Sequence, residues 1–312
     1  MTKKYRHLYG PVPSRRLGRS LGIDLVPHKV CTYDCVYCQI GRTTEKTLQR
    51  KEYVPENEIL EEVASYLREG EILPDYLSLG GSGEPTLHSG IRSIIREIKA
   101  MTDIPVAVIT NGSLLSDEQV REDLLEADVV LPSMDAASAE VFERINRPCF
   151  GFSVEQMIEG MVAFRKRFMG QIWLEILFCR DVNDGPDEIR KMREAVERIR
   201  PDQIHLNTVV RPPSEGWTSP IREEEMERIR SVFGEKACII TEFDRRPEPG
   251  KQRDVREEIL RVLERRPLSL EDLSKGMGIT GRELGEAIDS LIREGRVRAR
   301  LFDGRQYYEA VI

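Results

Sequence analysis

Apolar residues recur along this chain at two spacings that take turns. Over 20–26 (Ser20-Leu21-Gly22-Ile23-Asp24-Leu25-Val26) they alternate, as on a strand with one buried face. Over 56–69, Ile59, Leu60, Val63 and Leu67 fall on one side of a helix. The switch then repeats: strand 75–81, helix 88–101, a buried-type strand 105–110, and Ser116 as the cap of a helix running to about Glu126. Strand 128–133 leads to helices near 138–146 and 153–168. Strand 171–178 leads to a helix at 187–199, announced by Asn183-Asp184-Gly185-Pro186. Strand 203–209 leads to helix 221–233 and a short extended piece at 237–241. Upstream, residues 1–19 read as an extended arm, because Tyr9-Gly10-Pro11-Val12-Pro13 cannot lie inside a helix.

Strand and helix thus alternate six times in about 190 residues, the pattern of parallel βαβ units with right-handed crossovers. Eight units would close a barrel, so six predict an α/β fold with an open, partial (β/α)6 barrel. A doubly wound sheet is the rival, since sequence does not set strand order. Either way, functional groups belong at the carboxyl ends of the strands.

Past Arg245 the pattern changes. Residues 246–252 read as a linker. Three short helices follow: one marked by Val255, Ile259 and Val262-Leu263, one over 269–275, and one over 280–294. Residues 296–308 form a hairpin that turns at Asp303-Gly304. Three helices and a hairpin resemble a winged helix-turn-helix. The predicted organisation is a core over 1–245, the linker 246–252, and a small winged helix-turn-helix domain over 253–312.

Composition narrows the class. The chain has 312 residues, 40% hydrophobic and 32% charged, which suits a globular protein and argues against a disordered one. No apolar run approaches a membrane span, and the charged start lacks the apolar stretch of a signal peptide. Nothing apolar enough follows Arg15-Arg16 to make them an export signal. Net charge is −7, yet residues 1–50 hold ten Lys/Arg against three Asp/Glu, a local net of +7. Such a segment either attracts an anionic substrate or pairs with the acidic helices further on.

Candidate chemistry starts at Cys31-Thr32-Tyr33-Asp34-Cys35-Val36-Tyr37-Cys38, which directly follows the first predicted strand. Three thiols spaced C-x3-C-x2-C, in a chain without a signal segment, read as metal-binding rather than as a disulfide framework. They place the protein in the cytoplasm. Three is one short of the four that fill an ordinary iron–sulfur cubane. A structural zinc site with His28 as fourth ligand is the alternative, although zinc favours paired C-x2-C knuckles. After the second strand comes Gly80-Gly81-Ser82-Gly83-Glu84-Pro85, with a carboxylate at Glu84 that suits either an ammonium group or the start of a helix. Later strands end in Asn111-Gly112, in Ser133 and Asp135, and in Asn207, and the fifth carries Glu175. Asn111-Gly112 can equally be a turn, and Ser133 and Asp135 can equally cap the helix near Ser138. Cys149, Cys179 and Cys238 stand alone, as buried thiols usually do. Cys179, just past the fifth strand, is the one to test for a place in the cavity and a catalytic role there. His205 has the register to point inward, where a packed histidine is the plainer reading. No lysine stands out.

The cysteine spacing together with the Gly-Gly-Ser-Gly-Glu stretch resembles the radical S-adenosylmethionine (SAM) superfamily, over residues 10–245. The resemblance implies one [4Fe–4S] cluster on Cys31, Cys35 and Cys38, with SAM on the open iron. It implies Gly81, Ser82, Gly83 and Glu84 around SAM's amino group, Ser133 and Asp135 at its carboxylate or ribose, and Tyr37 against the adenine. Asn111, Glu175 and Asn207 belong to the site more loosely. An external one-electron donor, ferredoxin- or flavodoxin-like, would drive cleavage of SAM to a 5′-deoxyadenosyl radical that abstracts hydrogen from substrate. Residues 9–18 and 81–87 resemble uncharacterised members of the wyosine-synthase-like group. True wyosine synthases carry a second cluster on upstream cysteines, and this chain has none before Cys31. Three readings follow: modification of an RNA base, in tRNA; radical modification of a peptide or protein, or activation of a glycyl-radical partner, with the winged helix as docking module; and a non-enzymatic cluster-bearing regulator that binds DNA.

Overall fold

The computed structural model describes residues 5–70, 72–240, 255–264, 267–277 and 281–311. The linker expected at 246–252 lies outside them. The core is an eight-stranded sheet built from β1 (Leu8–Ser14), β2 (Gly18–Ile23), β5 (Tyr76–Leu79), β6 (Val106–Thr110), β7 (Val129–Pro132), β8 (Gln171–Phe178), β9 (Gln203–Thr208) and β10 (Ala237–Ile239), neighbours in that order. A two-residue ladder of β3 (Val30–Cys31) and β4 (Glu45–Lys46) stands apart. From β2 onward every pairing in the large sheet is parallel. Sequential strands lie side by side with helices between them, as a partial barrel requires; a doubly wound sheet would reverse direction partway.

The crossovers are α1 (Glu56–Glu69), α2 (Ile91–Met101), α3 (Glu118–Asp123), α4 (Ala139–Ile145), α5 (Val154–Arg165), α6 (Pro186–Ile199) and α7 (Glu223–Phe233). Their boundaries follow local chemistry. Pro186 sits at the first position of α6 and Ser153 makes a capping box with Gln156 at α5. One boundary differs from expectation: the cap of α3 is Asp117, whose carboxylate accepts from Gln119 N at 2.8 Å, and Ser116 belongs to the preceding turn. On α2 the fully buried face is Ile91, Ile94, Ile95 and Ile98. Four such side chains contribute about 6–12 kcal/mol of burial before entropy is charged against them.

The sheet's two faces divide the work. Leu174, Ile176 and Phe178 of β8 join the large core under the helices. The alternate residues turn inward, where Ala107, Val129, Leu131 and Trp173 pack with Leu17 as a plug. Above that plug, at the carboxyl ends, the inward positions become polar.

The extended N-terminal arm is built into the sheet as a strand. β1 pairs antiparallel with β2 and slips register between Tyr9 and Val12, at Gly10-Pro11. Prolines are tolerated there because β1 is the sheet's edge. That edge is covered. The C-terminal unit comprises α8 (Val255–Leu263), α9 (Leu270–Met277), α10 (Gly281–Arg293) and an antiparallel hairpin, β11 (Val297–Phe302) and β12 (Arg305–Ala310). The hairpin turns through Asp303 and Gly304, both at positive φ (46° and 73°), as a tight two-residue turn demands. Its core of Ile259, Leu263, Leu273, Leu284, Ile288 and Leu291 also takes in Val12 of β1. The Tyr307 hydroxyl donates to Val210 O at 2.6 Å, and Asp272 lies 3.7 Å from Arg211.

Candidate active site

Residues 24–38 leave β2 and fold back over the barrel mouth. Their backbone is pinned to the end of α4: Val36 N donates to Ile145 O at 2.9 Å, Asp34 N to Asn146 O at 3.0 Å, and Cys149 N to Thr32 O at 3.0 Å. On the other side the loop meets the glycine stretch, where Lys29 N donates to Ser82 O at 2.6 Å and Glu84 N to Val30 O at 3.1 Å. A Cβ on Gly83 would stand 2.0 Å from Val30 O, so that glycine lets the two chain segments touch. The glycines were expected to admit a ligand; at Gly83 the close neighbour is the cysteine-bearing segment itself.

Cys31, Cys35 and Cys38 all line one cavity of about 300 Å³, along with Tyr37, Gly81, Gly83 and Glu84. Each sulfur is approached by a side-chain N–H donor: Asn111 Nδ2 at 3.5 Å from Cys31, Asn146 Nδ2 at 3.4 Å from Cys35, and Lys29 Nζ at 3.2 Å from Cys38. Burial, and then Glu84, push the Cys31 thiol up to about 12. Burial, then Cys31, raises Cys35 well above the usual thiol range. Sulfurs so placed ionise when a cationic centre is bound to them. Among the described residues no three His, Cys, Asp or Glu side chains converge on a point fit for a single ion. His28, the proposed fourth zinc ligand, is exposed. Three thiols facing one cavity, each within reach of an N–H donor, suit ligation of an iron–sulfur cluster.

Glu84 is fully buried and held on both oxygens. Oε1 accepts from Thr86 N at 3.1 Å and from the Thr86 and Thr110 hydroxyls at 2.6 Å each, while among the described residues Oε2 accepts only from Asn111 N at 2.7 Å. Burial raises its pKa despite these bonds. The carboxylate therefore does cap the short turn Pro85–Leu87, and Oε2 keeps acceptor capacity toward the cavity. Ser82 points elsewhere: it does not line the cavity, and its buried hydroxyl has no partner.

Asn111 does form the turn its sequence suggested, with Oδ1 accepting from Ser113 N at 3.0 Å, while its amide reaches Thr32 and Cys31. Ser133 and Asp135 do not cap α4. That helix start is held by Glu188 of α6, which accepts from Ala137 N at 2.6 Å and Ser138 N at 2.9 Å. Ser133 instead lines the cavity. Asp135 accepts from the Tyr37 hydroxyl in a short bond, from Asn146 Nδ2 at 2.9 Å and from Leu177 N at 2.9 Å. Glu175 and Asn207 are joined at 2.9 Å and bind the arm: Glu175 holds Arg16 in a short ion pair, and Asn207 Oδ1 accepts from Arg15 Nη1 at 3.2 Å.

Two expectations about the single cysteines fail, and three basic residues of the cavity were not singled out. Cys179 is fully buried in the large core and does not line the cavity, so it has no catalytic role there. Cys238 is exposed, not buried. His205 does face the barrel interior, but as part of the plug, 5.5 Å from the Trp173 ring. Lys29, Arg15 and Arg16 line the cavity, and no spacing in the sequence singled them out as site residues; the basic excess of the first 50 residues was the signal.

Residues 25–196 match the family model described as the radical SAM superfamily. The UPF0026 protein MJ1312 of Methanocaldococcus jannaschii is 34% identical over 312 residues, covering 96% of this chain and 94% of that protein. A protein of Brachyspira hyodysenteriae named GTPase Obg is also 34% identical, over 304 residues; the match takes in 96% of this chain and spans 45% of that protein's length. Among solved structures, a radical SAM methyltransferase from Sphaerobacter thermophilus superposes with a TM-score of 0.53 at 12% identity, covering 70% of this chain and 66% of that one. At that identity the likeness is one of fold. No helix among the described residues is long and apolar enough to cross a membrane.

Proposed function

The chain belongs to the radical SAM superfamily, and on that premise we propose which of its residues carry the chemistry. It is a radical SAM enzyme whose cofactors are a [4Fe–4S] cluster and SAM, and it draws on an external electron donor. Bound together, the cofactors supply reductive cleavage of SAM to a 5′-deoxyadenosyl radical that takes hydrogen from a substrate.

In our reading Cys31, Cys35 and Cys38 hold the cluster. Glu84 Oε2 and the backbone at Gly81 and Gly83 would receive SAM's ammonium group, the Ser133 hydroxyl would take its carboxylate or ribose, and Tyr37 would contact the adenine. Asp135 fixes the Tyr37 ring from behind. Glu175 and Asn207 act through the arginines they hold. One observation carries this reading: the three thiols and the Glu84 carboxylate, from different segments, line a single cavity at the carboxyl ends of the strands.

Anaerobic reconstitution tests it. The wild-type protein should bind iron and SAM and release 5′-deoxyadenosine on reduction. Alanine at Cys31, Cys35 or Cys38 should abolish both iron retention and product. Glu84→Gln should keep its iron and bind SAM about tenfold more weakly, the loss of one charge-assisted contact. A triple cysteine variant that retains its iron would sink the assignment.

For the substrate we favour an RNA base, in tRNA. The basic first 50 residues support it, as does a C-terminal unit that we read, over 253–312, as a winged helix-turn-helix with the exposed arginines Arg298 and Arg300 on its hairpin. Identical modified-nucleoside profiles in a deletion strain and its parent would rule this out. Leu301, 74% exposed on the same hairpin, favours a second reading: docking of a peptide, protein or glycyl-radical partner. Co-purification of such a partner, without RNA binding, would decide for it.

A further inference from the structure

Part of the cavity wall carries positive charge that the protein neutralises only in part. Arg15 and Arg211 both line it. Among the described residues Arg15 pairs with no carboxylate; its Nη1 donates to the amide oxygen of Asn207 at 3.2 Å. Arg211 donates to the amide oxygen of Gln39 at 3.2 Å and also pairs with Asp272, 3.7 Å away, which neutralises it in part. The Arg211 side chain is 10% exposed, and its Nε is buried with no partner. Arg16 next door contrasts with both, since Glu175 neutralises it.

An amide oxygen aims a guanidinium and leaves its charge intact, whereas a carboxylate would cancel it. Two guanidinium groups so aimed repel each other: burial, then Arg211 and Arg16, pull Arg15 down to about 9. The unfavourable arrangement is relieved by a ligand with two negative charges and several acceptor oxygens. A phosphate has both, and its geometry matches the arginine fork.

We infer that Arg15 and Arg211 form a subsite for a phosphate group of the substrate, so that the enzyme acts on a phosphorylated molecule such as a nucleotide. The inference rests on the radical SAM reading of the same cavity and adds the substrate's chemical class. Asn207 and Gln39 are positioning residues. The same anionic chemistry is offered by SAM's carboxylate, and the test separates the two sources.

Calorimetry on the reconstituted full-length protein, saturated with SAM, would use inorganic phosphate and pyrophosphate as probes. Wild type should bind pyrophosphate in the sub-millimolar range. Arg15→Gln and Arg211→Gln should each weaken that binding by about tenfold or more and leave SAM affinity within about twofold. Gln39→Glu keeps the fold's volume and both arginines but supplies a neutralising carboxylate, and it should weaken the probe equally. Thermal melts and iron content check that the variants are folded, and Gln39→Glu keeps the test alive if an arginine variant is not. Absence of binding by wild type at about 10 mM probe overturns the proposal, as do variants that bind like wild type. So does a parallel tenfold loss of SAM affinity, which would give the guanidinium pair to SAM's carboxylate. SAM binding and 5′-deoxyadenosine release by wild type report on the cofactor reading separately, so the two can fail independently.

Discussion

Lys29 shows how single residues set this site's properties. It is 3% exposed, adopts a φ of 61°, and delivers its ammonium 3.2 Å from the Cys38 sulfur. A cation beside a ligating sulfur stabilises the more negative, reduced state of a cluster. Replacing Lys29 with Met keeps the stem and removes the charge. The cluster potential should fall by on the order of 50 mV, since about 1.4 kcal/mol is 59 mV for one electron. A redox titration followed by electron paramagnetic resonance measures this, and an unchanged potential would show the ammonium to be a spectator. His205 makes a different prediction. Burial, and then Arg16, lower its pKa from 6.5 to about 4, so it is packed neutral. Between those values the unfolded chain binds the proton and the folded one does not. Stability from this residue is therefore complete above about pH 6.5 and is lost as pH falls toward 4, by at most about 3 kcal/mol. Urea midpoints of wild type and His205→Gln should diverge most at neutral pH and converge toward pH 4. Parallel curves would mean the ring titrates normally.

At the scale of elements, α5 shows packing overruling propensity. Gly160 lies inside this helix, where alanine ought to gain about 1 kcal/mol. A Cβ there would meet the Leu115 carbonyl oxygen at 2.4 Å and Ser116 N at 2.5 Å, both backbone of the turn Ser113–Ser116. Backbone cannot step aside as a side chain end can, so Gly160→Ala should destabilise by about 1–3 kcal/mol net. Chemical denaturation measures it, and a stabilised variant would show the turn to be free to shift. The same contrast explains what was legible in the sequence. Strand 171–178 and helix 56–69 were readable to the residue because each has an unbroken period and clear ends. β1 was hidden by two prolines that only an edge position permits, and edge position is a property of the sheet. The start of α4 stayed ambiguous for a like reason: the carboxylate that holds the backbone just ahead of it, Glu188, comes from another helix 50 residues on. The cysteine triad and Glu84 are local motifs and could be read directly. The Arg15–Asn207 contact joins residues 192 apart, so no spacing rule reaches it.

Across the whole molecule, the C-terminal unit is tied to the barrel rather than tethered beside it. A unit of its size buries too little surface to be robust alone. Docking adds Val12 to its core, the Tyr307–Val210 hydrogen bond, and the approach of Asp272 to Arg211 at the cavity wall. Those contacts are worth a few kcal/mol together, comparable with the unit's own margin, so the two parts should unfold as one. The chain offers a clean probe of this. Its two tryptophans, Trp173 and Trp217, both lie in the barrel portion, so their fluorescence follows the barrel alone. Amide exchange in β11 and β12 follows the C-terminal unit. In wild type the exchange protection of the hairpin should match the stability reported by tryptophan. Val12→Ser cuts a residue that is 6% exposed between the two parts and should cost about 2 kcal/mol. The hairpin amides should then open well below the barrel's transition, while the tryptophan midpoint moves less. If hairpin protection is the same in both proteins, the unit is stable by itself. Its contacts at Val210 and Arg211 would then be a resting position, and the cavity wall would open without unfolding.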